Sequence, residues 1–222
     1  MLKFKSNSSI KKKFIHSLEM AKKIIEDNKN ISLESIDHPI YKVINIFAMA
    51  IQSDLLRNVI TTHEYDIPKP TSLFYPDYDL LKKHNIKLKI YDGVDTSRKV
   101  DIDFSRDMVL SLPWSSKRFR SALFNLKRGD WLYDSMNHRA EFLEPFKIGV
   151  IMNGIHSSSI GILNRQGNMP AQVIDLSSLF DLIETDGIYY YSKKNKGKIS
   201  KVKYFEEAVI FEIGRLINSN KY

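Results

Sequence analysis

Residues 148–176 read IGVIMNGIHSSSIGILNRQGNMPAQVIDL. The apolar run from Ile148 to Met152 has the length of a short buried strand. Asn153-Gly154 breaks it, and the glycine supplies either a positive φ or room for close backbone approach. Ser157, Ser158 and Ser159 open a short helix over 157–166 that stops at Gln166-Gly167. Residues 171–176 make another strand. A strand–helix–strand unit of this size favours parallel pairing and a right-handed crossover.

Two readings of NGIHSSSIG (153–161) compete. In the plain one, a serine caps a helix and Asn153-Gly154 is a tight turn. In the other, the segment holds an anion. The first N–H groups of a helix lack intrahelical partners, and its dipole presents positive charge there. The hydroxyls of Ser157, Ser158 and Ser159 add donors, and a protonated His156 donates from both ring nitrogens. With Asn153 and Gly154 they make a cradle for a phosphate or carboxylate, where His156 is a contact or an acid/base group.

The preceding segment, RGDWLYDSMNHRAEFLEP (128–145), leads straight into that strand. Trp131 suits base stacking and Arg139 suits a phosphate, while His138 and Glu141 suit a base and its orienter. The plain reading is a helix with Trp131 in the core and the charges in solvent. His138 and His156 with Asp101 or Asp103 would make a two-histidine, one-carboxylate set. Neither HxH nor HExxH spacing is present, and no metal is assigned.

The remainder reads as α+β. Residues 8–28 and 39–62 follow a helical period, with Pro39 at a first helical position. IPKPTSLFYPDYD (67–79), with three prolines, is a connection. IKLKIY (86–91) and VDIDF (100–104) alternate like strands, and MVLSL (108–112) is a further strand. Residues 115–127 are helical, with Phe119, Ala122, Leu123 and Leu126 on one face. Residues 187–204 form a hairpin turning at Lys194-Asn195-Lys196-Gly197, and 205–218 an amphipathic helix. The organisation is a helical region over 1–66, a proline-rich connection over 67–85 and an α+β domain over 86–222. In it, N-terminal helices pack on a small mixed sheet with a strand–helix–strand core, followed by a hairpin and a helix.

The chain has 222 residues, no cysteine and a net charge of +8, with pI near 9.4. Disulfides, thiolate catalysis and cysteine metal sites are excluded. The basic N-terminus has no apolar core of a secretory signal. The longest apolar stretch, Val43 to Ile51, is far short of the ~20 residues of a membrane span, so a cytoplasmic protein is expected. The charge points to anionic partners. Lysines cluster at 11–13, 22–23 and 193–203, the last beside Tyr189, Tyr190 and Tyr191, and Arg118-Phe119-Arg120 adds a further patch. A basic hairpin with aromatics suits nucleic acid, while alternating lysines also guard a strand edge. No Walker A loop, dinucleotide glycine fingerprint, kinase set or GxSxG elbow occurs.

Gly154, His156, Gly161, Gly167, Pro170 and Val173 fall where the ParB/sulfiredoxin-like fold places such residues, and MVLSLPW with the helix after it resembles that fold's earlier strand and helix. The resemblance covers about residues 100–176. It implies a nucleotide at 153–159, with Mg²⁺ as its possible companion. Ile155 stands where sulfiredoxins carry the catalytic cysteine, Ser157 where many members carry arginine, and the ParB acidic residue is missing. Sulfur chemistry is thereby excluded, and CTP or ATP hydrolysis is in doubt. WLYDSMNHR, EPFKIGV, NGIHS and FEIGRL also resemble an uncharacterised bacterial domain-of-unknown-function family, which implies a bacterial or phage source. The expectation is a protein that binds a phosphate-bearing small molecule, a nucleotide first, with turnover left open. The alternatives are a basic nucleic-acid-binding or regulatory protein of a mobile-element or defence system, and a structural partner that docks through its N-terminal helices.

Overall fold

A computed structural model of the chain describes residues 7–62, 73–87 and 98–220. Among them are seven helices, a five-stranded mixed sheet and a three-stranded antiparallel sheet, so the fold is α+β. They form two compact units. The first draws on residues 1–48, 71–92 and 176–222, the second on 49–70 and 93–175.

The second unit is built on a sheet of order β1-β5-β3-β4-β2. Its strands are β1 (Lys99–Asp103), β2 (Val109–Leu110), β3 (Arg139–Glu144), β4 (Ile148–Asn153) and β5 (Asn168–Asp175). β4 is buried from Ile148 to Ile151, which explains why it reads as a continuous apolar run rather than an alternating one. Strand β3 corrects the sequence reading of 128–145 as a helix. Ala140 and Phe142 pack in the core cluster with Ile102, Phe104, Trp131 and Ile151, while Arg139 and Glu141 alternate to the other side. The charges on that second face hide the period of two.

β3 also separates the strands that flank the helix after β4. It runs antiparallel to β4 and parallel to β5, so β4 and β5 are neither adjacent nor parallel, contrary to the crossover expected from their spacing. Helices α4 (Ser116–Asn125) and α5 (Ile155–Asn164) belong to this unit, as does the part of α2 (Ile40–Thr61) from Met49 onward. Val59 of α2, Phe119 of α4 and Ile160 of α5 form a buried cluster with Leu56, Ala122 and Leu126. Full burial of each large apolar side chain contributes about 1.5–3 kcal/mol. Leu123, expected on the same face, is exposed. Between α2 and β2, Gln52 makes two hydrogen bonds to one residue. The Ser111 N–H donates to its Oε1 at 2.7 Å, and its Nε2 donates to the Ser111 carbonyl at 3.1 Å.

The first unit packs α1 (Asn7–Asp27) against α7 (Phe205–Ser219), with Phe14, Ala21 and Ile25 as the buried stripe of α1. Its sheet joins β6 (Ile183–Thr185), β7 (Tyr189–Ser192) and β8 (Lys198–Lys201), all antiparallel. The hairpin read at 187–204 is the β7–β8 pair, and its turn is closed by the Gly197 N–H donating to Asn195 Oδ1 at 2.9 Å. Two short helices went unread. These are α3 (Tyr78–Lys83), started by the Asp77 carboxylate accepting from the Asp79 N–H, and α6 (Leu179–Leu182). Of the strand read over 86–91, residues from 88 lie outside the described set, as do the turn at 92–95 and residues 67–72 of the connection. Among the described helices only α2 is long and apolar enough to cross a membrane, by length and composition. Tyr41, Ile44, Ala48, Ile51 and Val59 along it are buried in the protein.

Candidate functional site

The backbone turns from β4 into α5 at Gly154, which caps the helix with φ +70° and no side-chain hydrogen bond. A glycine is required there twice over. Positive φ strains other residues, and an added Cβ would lie 2.0 Å from His138 Cδ2. The close approach inferred from the sequence is real, and the group that approaches is the chain's own histidine. His138 is buried and stacks on Trp131, with ring centroids 4.9 Å apart at 26°. Trp131 in turn fills the space over Gly167 (φ +111°), where a Cβ would sit 2.2 Å from its ring.

The ring nitrogens of His138 are committed to structure, while Trp131 Nε1 is buried without a hydrogen-bond partner. The Asp134 N–H donates to His138 Nδ1 at 3.0 Å, which leaves the proton of the neutral ring on Nε2. Nε2 lies 2.9 Å from Ser157 Oγ, and Ser157 Oγ donates to the Gly154 carbonyl at 2.9 Å. Burial lowers the His138 pKa, with the Asp134 charge acting the other way, so the ring is neutral near pH 7. Neither ring nitrogen is directed to Glu141, so the base and orienter read from the sequence are not brought together. Ser158 and Ser159 are also buried. Ser159 Oγ donates to the Ile155 carbonyl at 2.8 Å and lies 2.6 Å from Ser111 Oγ, which ties α5 to β2. Trp131, Ser158 and Ser159 thus pack the core, and Arg139 is exposed on β3.

What remains around Gly154 is a cleft of about 410 Å³ between α4 and the start of α5. Asn153, Gly154, His156 and Ser157 of the sequence-read cradle line it. The facing wall comes from α4 and the residue before its cap, with Trp114, Arg118, Ser121 and Asn125 contributing. Ser115 caps α4 by accepting from the Arg118 N–H at 3.3 Å, which fixes the first turn and the arginine on it. The guanidinium of Arg118 sits 5.0 Å from the Trp114 ring centroid, and Trp114 meets His156 edge-on at 5.4 Å. The Ser115 N–H donates to His156 Nε2 at 3.3 Å, so in the neutral ring the proton is on Nδ1. Protonating both nitrogens would forfeit that bond. The described wall contains one guanidinium, a helix start and no carboxylate.

A family model matches residues 1–222 of the chain, and its description is "Family of unknown function (DUF6710)". The chain belongs to that family. No curated protein and no solved structure matches it.

In the sequence Arg118 stands out only as part of a basic patch, and Trp114, Ser121, Asn125 and Asn137, which also lines the cleft, do not stand out as site residues. A signal existed for three of them. Arg118, Ser121 and Asn125 recur at helical spacing beside the apolar stripe of Phe119, Ala122 and Leu126. Nothing in the sequence marks Asn137. The tyrosines of the basic hairpin are largely engaged within their own unit. Tyr190 is buried, Tyr191 donates to Asp186 Oδ2 at 3.1 Å, and Lys198 lies 3.7 Å over the Tyr189 ring.

Proposed function

We propose that the cleft between α4 and α5 binds a phosphate-bearing small molecule, a nucleotide in the first instance. The observation that carries this reading is the convergence of Arg118 and the start of α5, uncapped by any side chain, on one cavity without a carboxylate in its wall. Backbone donors with a positive dipole suit a phosphate, and a guanidinium grips its oxygens in pairs. His156 contacts the phosphate, and the partly exposed Trp114 offers a ring face to a base. The cavity falls within the roughly 300–1,000 Å³ of small-molecule sites. The ParB/sulfiredoxin-like reading belongs to the same proposal. Its support is the strand, positive-φ glycine and helix at 148–164, with the phosphate at the helix start.

The test is a thermal-shift screen against nucleotides, cyclic nucleotides and inorganic phosphate, with and without Mg²⁺. A ligand that binds only the folded state raises Tm. The wall has no carboxylate to hold Mg²⁺, so a shift is expected in both conditions. Arg118→Glu is expected to weaken binding by ten- to a hundredfold, in line with the ~1.5–3 kcal/mol of hydrogen bonds to a charged group. A flat screen, together with nucleic-acid binding that falls steeply with salt, would replace this reading by the nucleic-acid one.

A further inference from the structure

We propose that the second unit docks on an anionic lipid bilayer through the loop between Trp131 and His138 together with the exposed face of α4. The loop is short and pinned at both ends. Trp131 and His138 are buried, while residues 132–137 between them are all exposed. Its own polar groups brace it. The Asp134 carbonyl accepts from the Asn137 N–H at 3.1 Å and the His138 N–H at 2.7 Å, and the Asp134 carboxylate accepts from the Met136 N–H at 2.9 Å. What this turn presents to solvent is apolar. Met136 is 91% exposed and Leu132 78%. Asn125 and Asn137 line one cleft, so the end of α4 and this loop lie side by side. Phe124, at that end of α4, is 79% exposed. Single exposed apolar side chains are ordinary, but several gathered on neighbouring segments mark an interaction surface.

The charge of the same surface selects the partner. Residues 116–136 carry Lys117, Arg118, Arg120, Lys127 and Arg128 against Asp130 and Asp134. Each of those carboxylates already accepts a backbone N–H, Asp130 that of Lys127 at 2.9 Å and Asp134 that of Met136. With Arg118 left to the cleft, the other four cations are exposed, and none is ion-paired to a described residue. Lys117, Arg120 and Phe124 follow one another at spacings of three and four on α4, so cations share the face of the phenyl ring.

That combination fits a bilayer better than its rivals. Nucleic acid would meet the cations, but leucine and methionine offer no ring to stack on a base. A second copy of the chain would set the same cations face to face. An acidic protein would need a relief matched to apolar groups on two separate segments, whereas a fluid bilayer takes them as they stand. Anionic headgroups meet the lysines and arginines, the acyl boundary receives Phe124, Leu132 and Met136, and the half-exposed Tyr133 suits the level between. Contact of this kind needs no spanning helix. The inference does not rest on the ligand of the cleft.

The test floats the full chain on a density gradient with phosphatidylcholine vesicles that contain or lack phosphatidylserine. Flotation is expected with phosphatidylserine and not with phosphatidylcholine alone. A net charge of +8 attracts anionic vesicles by itself, so variants locate the contact. Leu132→Ser combined with Met136→Ser keeps every charge and changes only exposed side chains. It is expected to keep the wild-type Tm and to bind by about tenfold or more weakly. Lys127→Ala combined with Arg128→Ala is expected to weaken binding by roughly tenfold or more, at about fivefold for each cation near an anionic surface. No flotation with phosphatidylserine would overturn the proposal, and so would a Leu132→Ser, Met136→Ser variant that floats as well as wild type. Binding to polyglutamate or single-stranded DNA that depends on Leu132 and Met136, without flotation, would assign the surface to an acidic protein or to nucleic acid instead.

Discussion

Gly154 and His138 are a single packing decision made by two residues. One lacks a Cβ so that the other's ring can lie against its backbone. Gly154→Ala is expected to destabilise the protein by more than ~1 kcal/mol, since it forces a side chain both into positive φ and into the imidazole. In a double-mutant cycle with His138→Ala, the combined loss measured by urea unfolding should fall below the sum of the single losses, because the clash needs both partners. Additive losses would mean the ring is not what the glycine accommodates. The glycine's role was half legible in the sequence. NGIHSSSIG announced a close approach to the backbone but carried no sign of which group approaches, because His138 lies outside the motif and arrives through pairing of β3 with β4. Likewise three serines in a row look alike on paper. Their fates differ because a helix turns ~100° per residue, which carries Ser158 and Ser159 into the core and leaves Ser157 at the cleft wall.

At the scale of elements, the polar clasp between α2 and β2 holds the short strand that carries the chain into Trp114 and α4. Gln52→Leu removes both hydrogen bonds and leaves the buried Ser111 N–H and carbonyl unmet. A loss of about 2–4 kcal/mol is expected, at ~1–3 kcal/mol for each orphaned group less the gain from an apolar side chain. If unfolding in denaturant shows no loss, water must already serve those groups. The long helices and the β7–β8 hairpin were legible because their apolar periods are sustained and their turns carry Asn and Gly. β3 was not. A strand that carries Arg139, Glu141 and Glu144 among six residues resembles a charged helix, and only its neighbours β4 and β5 decide the matter. α4 was legible as a helix but not as a cleft wall, since that depends on which of its stripes meets α5.

Over the whole molecule, titration sets opposing limits on stability. Burial raises the Glu207 carboxyl to about 7 from its ordinary 4.5. Between those values the folded state binds more protons than the unfolded one, so stability falls as pH rises across that window. Burial lowers His38 and His138 below their ordinary 6.5, so the folded state binds fewer protons and stability is lost as pH falls below about 6.5. The two effects oppose each other over the acidic range, and the Glu207 loss is complete above about pH 7. Glu207→Gln keeps an acceptor for the Tyr204 N–H and is expected to remove the fall in stability between about pH 4.5 and 7, a difference of up to about 3 kcal/mol read by calorimetry. An unchanged profile across that window would show that Glu207 is ionised without penalty. The chain's passage between the two units bears on how the protein can be dissected. It crosses from one unit to the other after residues 48, 70, 92 and 175. No single truncation point therefore separates a self-contained piece. A fragment of 86–222 would lack α1 and the start of α2 from one unit and Gln52, Leu56 and Val59 from the other. Loss of ligand binding in such a fragment would report damaged scaffolding, so the proposed binding at the cleft is best tested by point variants in the intact chain.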